Sequence, residues 1–215
     1  MSVKNYKFYN TSLGWIHFFI ALITFSLTVE PTASFWDAGE YIATSAKLQV
    51  GHPPGAPLFQ MIGAFFAMFA PNVEKVALFV NLMSVFSSAF TILFMFWTLT
   101  LILRKLPAFK NINTKSDYIG FFGSASIGSL AFCFSDSFWF NAVEAEVYAM
   151  ATLILSVLFW LGLKWEQEMN TAYGDRWLLL ISFIIGLSFG VHFMGLLTIP
   201  AIGMLYYFKN FKTKI

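Results

Sequence analysis

The run ALFVNLMSVFSSAFTILFMFWTLTLIL, Ala77 to Leu103, holds 27 residues without a charge and is bounded by Lys75 on one side and Arg104-Lys105 on the other. As a helix it would reach about 40 Å, more than the ~30 Å hydrocarbon core of a bilayer. A run of this length reads as a membrane-spanning helix, and the rest of the chain repeats the pattern. Leu13 to Val29, Tyr118 to Phe134 and Val147 to Leu163 each meet the lower limit of about 17 apolar residues. Trp177 to Phe208 is long enough for two short helices, with a bend near Gly190 in a stretch interrupted by Gly186, Gly195 and Pro200. Pro57 to Ala70 is apolar but reaches only about 21 Å, which makes it re-entrant or interfacial. The sequence thus predicts an all-α integral membrane protein: about six transmembrane helices and a re-entrant or juxtamembrane helix in the first outer loop, in a single polytopic domain over residues 1–215.

Composition agrees. Hydrophobic residues make up 58% of the chain, aromatic residues 20% and charged residues 11%, against about 25% charged in soluble domains. This excludes a secreted disulfide scaffold, a nucleic-acid binder and a disordered tail. Cys133 is the single cysteine, so no intrachain disulfide forms.

Lysine and arginine near helix ends collect on the cytoplasmic side. With the N-terminus cytoplasmic, Lys4, Lys7, Arg104, Lys105, Lys110, Lys115, Lys164, Arg176, Lys209, Lys212 and Lys214 all fall inside, and only Lys47 and Lys75 fall outside. A full span at Pro57 to Ala70 would break that pattern. The first run also begins like a signal peptide, but its core exceeds the usual length of about 7–15 residues and Pro31 precedes the candidate cleavage point. Asn10-Thr11-Ser12 matches a glycosylation acceptor on the cytoplasmic side, where it has no use.

Acidic residues sort the other way. Glu30, Asp37, Glu40, Glu74, Asp136, Glu144 and Glu146 fall outside with His52 and His192. Carboxylates contribute little to topology, so their concentration there points to chemistry. Ser34 is a candidate cap for a short helix carrying Asp37 and Glu40 on one face, with Tyr41 and Thr44 beside them. Two close carboxylates resist joint ionisation, which suits acid–base work, although an amphipathic interfacial turn has the same pattern. Gly51-His52-Pro53-Pro54-Gly55-Ala56-Pro57 makes a stiff turn that aims His52, either as a cap or as a group that holds phosphate or shuttles protons. A helix starting near Asn141 puts Glu144 on one face with Tyr148 and leaves Glu146 on an apolar face near membrane depth, where an acid is a functional candidate or snorkels. His192, at the bend, either serves chemistry or bonds a freed backbone carbonyl, and His17 reads as a packed side chain.

Four motifs, FWDAGE (35–40), GHPPGAPL (51–58), AEVY (145–148) and GLSFGVH (186–192), come in an order and spacing that resembles a membrane glycosyltransferase family. Its bacterial members are labelled as a domain of unknown function, and it is related to protein O-mannosyltransferases of the GT-C superfamily. The resemblance runs from about Leu13 to Phe208. It implies a bacterial inner-membrane enzyme with its site on the periplasmic face, using a polyprenyl-phosphate sugar, mannose or a similar hexose, and an acceptor protein Ser/Thr hydroxyl or glycan. It further implies an acidic residue in the first outer loop, matched by Asp37 with Glu40 close by, and a second after the third span, matched by Glu146 and less securely by Glu144. Such enzymes are longer, so the chain resembles the N-terminal membrane part of a larger enzyme or a truncated homologue.

On that resemblance Asp37 is the general base of an inverting transfer, and Glu40 orients the sugar or tunes Asp37. His52, His192, Lys47, Tyr41 and Glu144 are the candidates for substrate binding. No cofactor is required, although a divalent cation bridging Asp37 and Glu146 fits their hard oxygen donors. Two other functions use the same features: a proton-coupled transporter or lipid flippase relaying protons through the acids, and a non-catalytic membrane assembly subunit.

Overall fold

The computed structural model describes residues 3–110 and 112–211, and among these no segment forms a strand. In chain order the helices are α1 (Val3–Thr28), α2 (Ala38–Lys47), α3 (Pro57–Ala67), α4 (Val76–Leu103), α5 (Lys115–Cys133), α6 (Asp136–Ala142), α7 (Val147–Glu168), α8 (Asp175–Ser188) and α9 (Thr198–Asn210). A 3-10 turn, Phe193–Leu197, joins the last two. Local chemistry sets several starts. Thr114 and Asp117 form a capping box at α5, and Pro57 occupies the first position of α3, where its missing N–H costs nothing.

The charge-free run becomes α4, the central helix, which packs against α1, α5 and α7. Phe18, Ala21 and Phe25 of α1 meet Val85, Ala89, Ile92 and Leu93 of α4 in one core cluster, and Leu158, Leu161, Ile181 and Ile202 join α7 to α8 and α9 in another. His17 is packed as expected, its ring stacked on Phe96 at 4.6 Å and its Nδ1 2.7 Å from the Leu13 carbonyl oxygen. Asn10 lies inside α1 with Oδ1 accepting from Thr100 Oγ1 at 2.8 Å, so the glycosylation tripeptide is part of the packed helix.

Among the described residues three helices are long and apolar enough to cross a membrane, beginning at Asn5, Val73 and Val147, and α5 with α6 makes a fourth crossing if their 65° bend is one broken span. The expected six helices are all present, but six full crossings are not reached. The break at Gly190 leaves α8 and α9 with 14 and 13 residues, about 20 Å each. α3 has 11 residues and is too short to cross, as its reading as re-entrant or interfacial requires.

The charges separate along the long axis. Arg104 stacks over Tyr6 at 4.6 Å, while Lys105 and Lys209 approach Glu166 at 2.6 and 3.8 Å, which gathers basic side chains at one end. Lys212 and Lys214 lie outside the described residues. Glu146 begins α7 at the opposite end, about 27 Å from Lys164 along the helix.

Candidate functional site at the acidic end

Three hydrogen bonds lace the loop after α1 to the loop between α6 and α7. Glu30 N–H donates to the Val143 carbonyl at 2.9 Å, Ser34 Oγ donates to Glu144 Oε2, and Asp37 N–H donates to Glu146 Oε1 at 3.2 Å. Asn81, fully buried on α4, anchors the same loop by donating Nδ2 to the Glu30 and Thr32 carbonyls at 2.7 and 2.9 Å. Ser34 is therefore not the cap of α2. That position belongs to Asp37, whose side chain makes no capping bond, with Glu40 in the first turn. Trp36 holds φ at +60° while 85% exposed, a conformation costly for a bulky residue, and this turn delivers Asp37 onto Glu146.

The second loop differs from expectation. Asn141 lies near the end of α6 rather than at a helix start, and Glu146 occupies the N-cap of α7. The Val143 and Glu144 carbonyls accept from Glu30 N–H and Glu146 N–H, so the backbone leaves the helical ladder between the two acids. Both acids are buried. Burial, with Glu144 and Asp37 adding repulsion, pushes the Glu146 carboxyl up to about 7. Burial also raises Glu144, opposed by the bond from Ser34.

The proline-rich turn brings His52 between the two other acids. Its N–H donates to Glu40 Oε1 at 2.6 Å, its Nδ1 lies 3.0 Å from Glu40 Oε2, and its Nε2 lies 3.9 Å from Asp37 Oδ2. Glu40 holds the imidazole's proton above the ordinary histidine range, and the same two bonds lower the Glu40 carboxyl. Gly55 at φ +78° turns the chain into α3. There the Gly190 carbonyl accepts from Leu58 and Phe59 N–H at 2.7 and 3.2 Å, satisfying orphan donors of the helix start. A side chain at 190 would meet Leu58 Cβ at 2.8 Å, which explains the glycine. This junction carries His192, whose Nδ1 accepts from Met194 N–H at 3.2 Å and whose ring lies 5.4 Å from Tyr148. Of the two roles expected for His192, chemistry or a bond to a freed carbonyl, the structure shows its Nδ1 taken by a backbone N–H instead of a carbonyl.

Asp37, Glu146 and Tyr148 line two clefts at once. One, of about 390 Å³, also has Trp36, Phe140, Asn141 and Glu144. The other, of about 340 Å³, has Tyr41, His52, Val191 and His192. Tyr41 is half-buried, and burial beside three carboxylates pushes its phenol up to about 12. Lys47 is brought to neither cleft; it lies exposed in the last turn of α2. Donor atoms of Asp37, Glu40 and His52 lie within 4.8 Å of one another and form a group able to hold a cation, one that shares Asp37 with the expected Asp37–Glu146 pair. Glu146 instead accepts from the Asp37 backbone. A third, apolar cleft of about 370 Å³, with Leu58, Met83, Met150 and Leu187 in its walls, runs between α3, α4, α7 and α8.

Residues 37–215 match the family model described as the protein O-mannosyl-transferase TMEM260 N-terminal domain. The chain belongs to this family. The match takes in Asp37, Glu40, His52, Glu144, Glu146 and His192 and begins just after Ser34 and Trp36. Among curated proteins, the chain is similar to the protein O-mannosyl-transferase tmem260 of Dictyostelium discoideum, 27% identical over 85% of this chain and 22% of that protein. The mouse protein O-mannosyl-transferase TMEM260 is 26% identical over 76% of this chain and 21% of its own length. The chain thus spans about a fifth of the curated relatives it matches. No solved structure matches it.

Trp36 and Asn81 are the site residues that sequence reasoning missed, and Ser34 is the one it assigned to another role. Asn81 left a signal, a lone carboxamide in a charge-free run where an unsatisfied polar group is costly. Nothing local in the sequence marked Ser34 as a partner of Glu144.

Proposed function

We propose that this domain carries the transfer chemistry of a membrane protein O-mannosyltransferase, moving mannose from a polyprenyl-phosphate carrier to a Ser or Thr hydroxyl. The observation that carries the reading is the wall of Asp37, Glu146 and Tyr148 between two polar clefts, since a transferase must present one reacting atom to two substrates. The cleft with His52 and His192 suits the donor phosphate. It adjoins the Gly190 junction, whose neighbours Leu58 and Leu187 open the apolar cleft that would take the carrier's tail. The cleft with Trp36 and Asn141 suits the acceptor.

In this mechanism the acceptor hydroxyl gives its proton to the Asp37 carboxylate while its oxygen bonds the anomeric carbon. The bond from that carbon to the phosphate oxygen breaks, its electron pair stays on the phosphate, and configuration inverts. Glu40 favours the protonated form of His52, which would serve as a countercharge for the leaving phosphate. Glu146, buried behind Asp37, fixes the Asp37 backbone. A cation held by Asp37, Glu40 and His52 would supply the same countercharge. The relatives' name supports mannose as the sugar, the apolar cleft supports a lipid carrier, and the basic residues at the far end support an orientation with this site on the non-cytoplasmic face.

The test is transfer from labelled polyprenyl-phosphate mannose to a Ser/Thr peptide by this chain in proteoliposomes. Acceptor-dependent transfer that falls when the prenyl tail is shortened is the expected result. Donor consumption without acceptor dependence, or transfer indifferent to the tail, contradicts the reading.

A further inference from the structure

At the basic end, about 27 Å along α7 from Glu146, a cavity of about 400 Å³ opens between α1, α4 and α7. Lys7, Arg104 and Lys164 each come to it from a different helix, and no carboxylate lines it. Of the four acids of that end, Glu166 pairs with Lys105 and Lys209, Glu168 accepts from the Trp177 indole at 2.8 Å and Asp117 caps α5, and none of the four, Asp175 included, lines the cavity. Among the described residues none of the three cations forms an ion pair; Lys164 Nζ lies 6.0 Å from the centre of the Trp177 ring, outside the cavity wall, so no carboxylate neutralises the three charges. The guanidinium of Arg104 is held flat over Tyr6 at 4.6 Å, which fixes its position while leaving N–H groups available. Asn10 is fixed with its Oδ1 on Thr100, which leaves its amide NH₂ as a further donor. Trp97 and Trp160, 6.0 Å apart, form the apolar part of the wall, the arrangement of an aromatic residue at a membrane–water boundary.

We propose that this cavity binds the phosphate headgroup of an anionic phospholipid. The donors suit a phosphodiester, the tryptophans suit the acyl–headgroup boundary, and basic pockets between membrane helices at this level favour such lipids. The site is separate from the transferase reading and does not depend on it. A lipid held there would clamp α1, α4 and α7 together at the end opposite the outer loops.

The test is binding of phosphatidylglycerol to the full chain in nanodiscs, compared with phosphatidylcholine, by native mass spectrometry of retained lipid. Each lysine or arginine in contact with the bound headgroup is expected to contribute roughly five-fold to its retention, the scale of one basic side chain against an anionic headgroup. Arg104→Gln combined with Lys164→Gln is therefore expected to lose about 30-fold of the preference. Lys110→Gln with Lys115→Gln, which removes two charges outside this cavity, is expected to keep it. Equal loss in both double variants would overturn the site in favour of diffuse attraction. Equal retention of the two lipids by the unaltered chain, or displacement of the lipid by millimolar inorganic phosphate, would overturn the headgroup assignment.

Discussion

Glu146→Gln is expected to stabilise the protein above neutral pH. In the folded protein this carboxyl sits at about 7 against an ordinary value of 4.5, chiefly because it is buried. The folded chain thus binds that proton more tightly than the unfolded chain. At ~1.36 kcal/mol per pH unit, ionising Glu146 in the folded state costs about 3 kcal/mol. A raised pKa contributes stability that is complete below about pH 4.5 and lost as the pH rises through about 7. Glutamine keeps an oxygen to accept from Asp37 N–H and cannot ionise. The variant should match the unaltered protein near pH 4, gain on it steadily as the pH rises towards 7, and exceed it by about 3 kcal/mol near pH 8.5. For a chain of this size that is about 6–12 °C in melting temperature. Thermal unfolding followed by tryptophan fluorescence in detergent micelles across that range reads it directly. Parallel pH profiles, or a less stable variant near pH 8.5, would refute the burial argument.

Three further predictions follow from the same contacts. Glu40→Gln removes the partner that holds the His52 proton, so the alkaline limb of kcat/KM should move to lower pH; an unmoved limb removes His52 from the reaction. Gly190→Ala forces a Cβ to 2.8 Å from that of Leu58 and should cost about 1–3 kcal/mol in the same melting assay, while Gly186→Ala, with open space around it, should cost less than the ~1 kcal/mol of a tight contact; equal effects would contradict the close junction. Asn81→Leu strands the Glu30 and Thr32 carbonyls, should cost about 1–3 kcal/mol, and should speed amide hydrogen exchange across residues 29–37; unchanged exchange there would show that the loop is held by other contacts.

The helices were legible because a bilayer demands long charge-free runs, and the break at Gly190 was legible from its glycines. The Asp37–Glu40–His52 group was legible in part. The spacing of Asp37 and Glu40 and the stiff proline turn pointed them at one another, but not that Glu40 would grip His52 through both backbone and ring. The region from Asn141 to Glu146 was misread as helix because a cap-type residue precedes alternating acids. What ends the ladder there is tertiary: Glu30 takes the Val143 carbonyl, a residue more than a hundred positions away. Lys47 was selected for its charge on the outer loop, yet α2 carries it to the far end of the helix. Start and end points also moved, with α1 opening ten residues before its apolar run because Asn10 and Tyr6 pack against α4 and its end.

The most direct measurement is turnover of Asp37→Asn in acceptor-dependent mannosyl transfer, with binding of the polyprenyl-phosphate donor measured on the same samples. Loss of a general base lowers the rate by about 10²–10⁴. The account predicts a fall of at least 100-fold in kcat with donor binding retained, because Asp37 is exposed and its backbone bond to Glu146 survives the substitution. Turnover like that of the unaltered protein would contradict it.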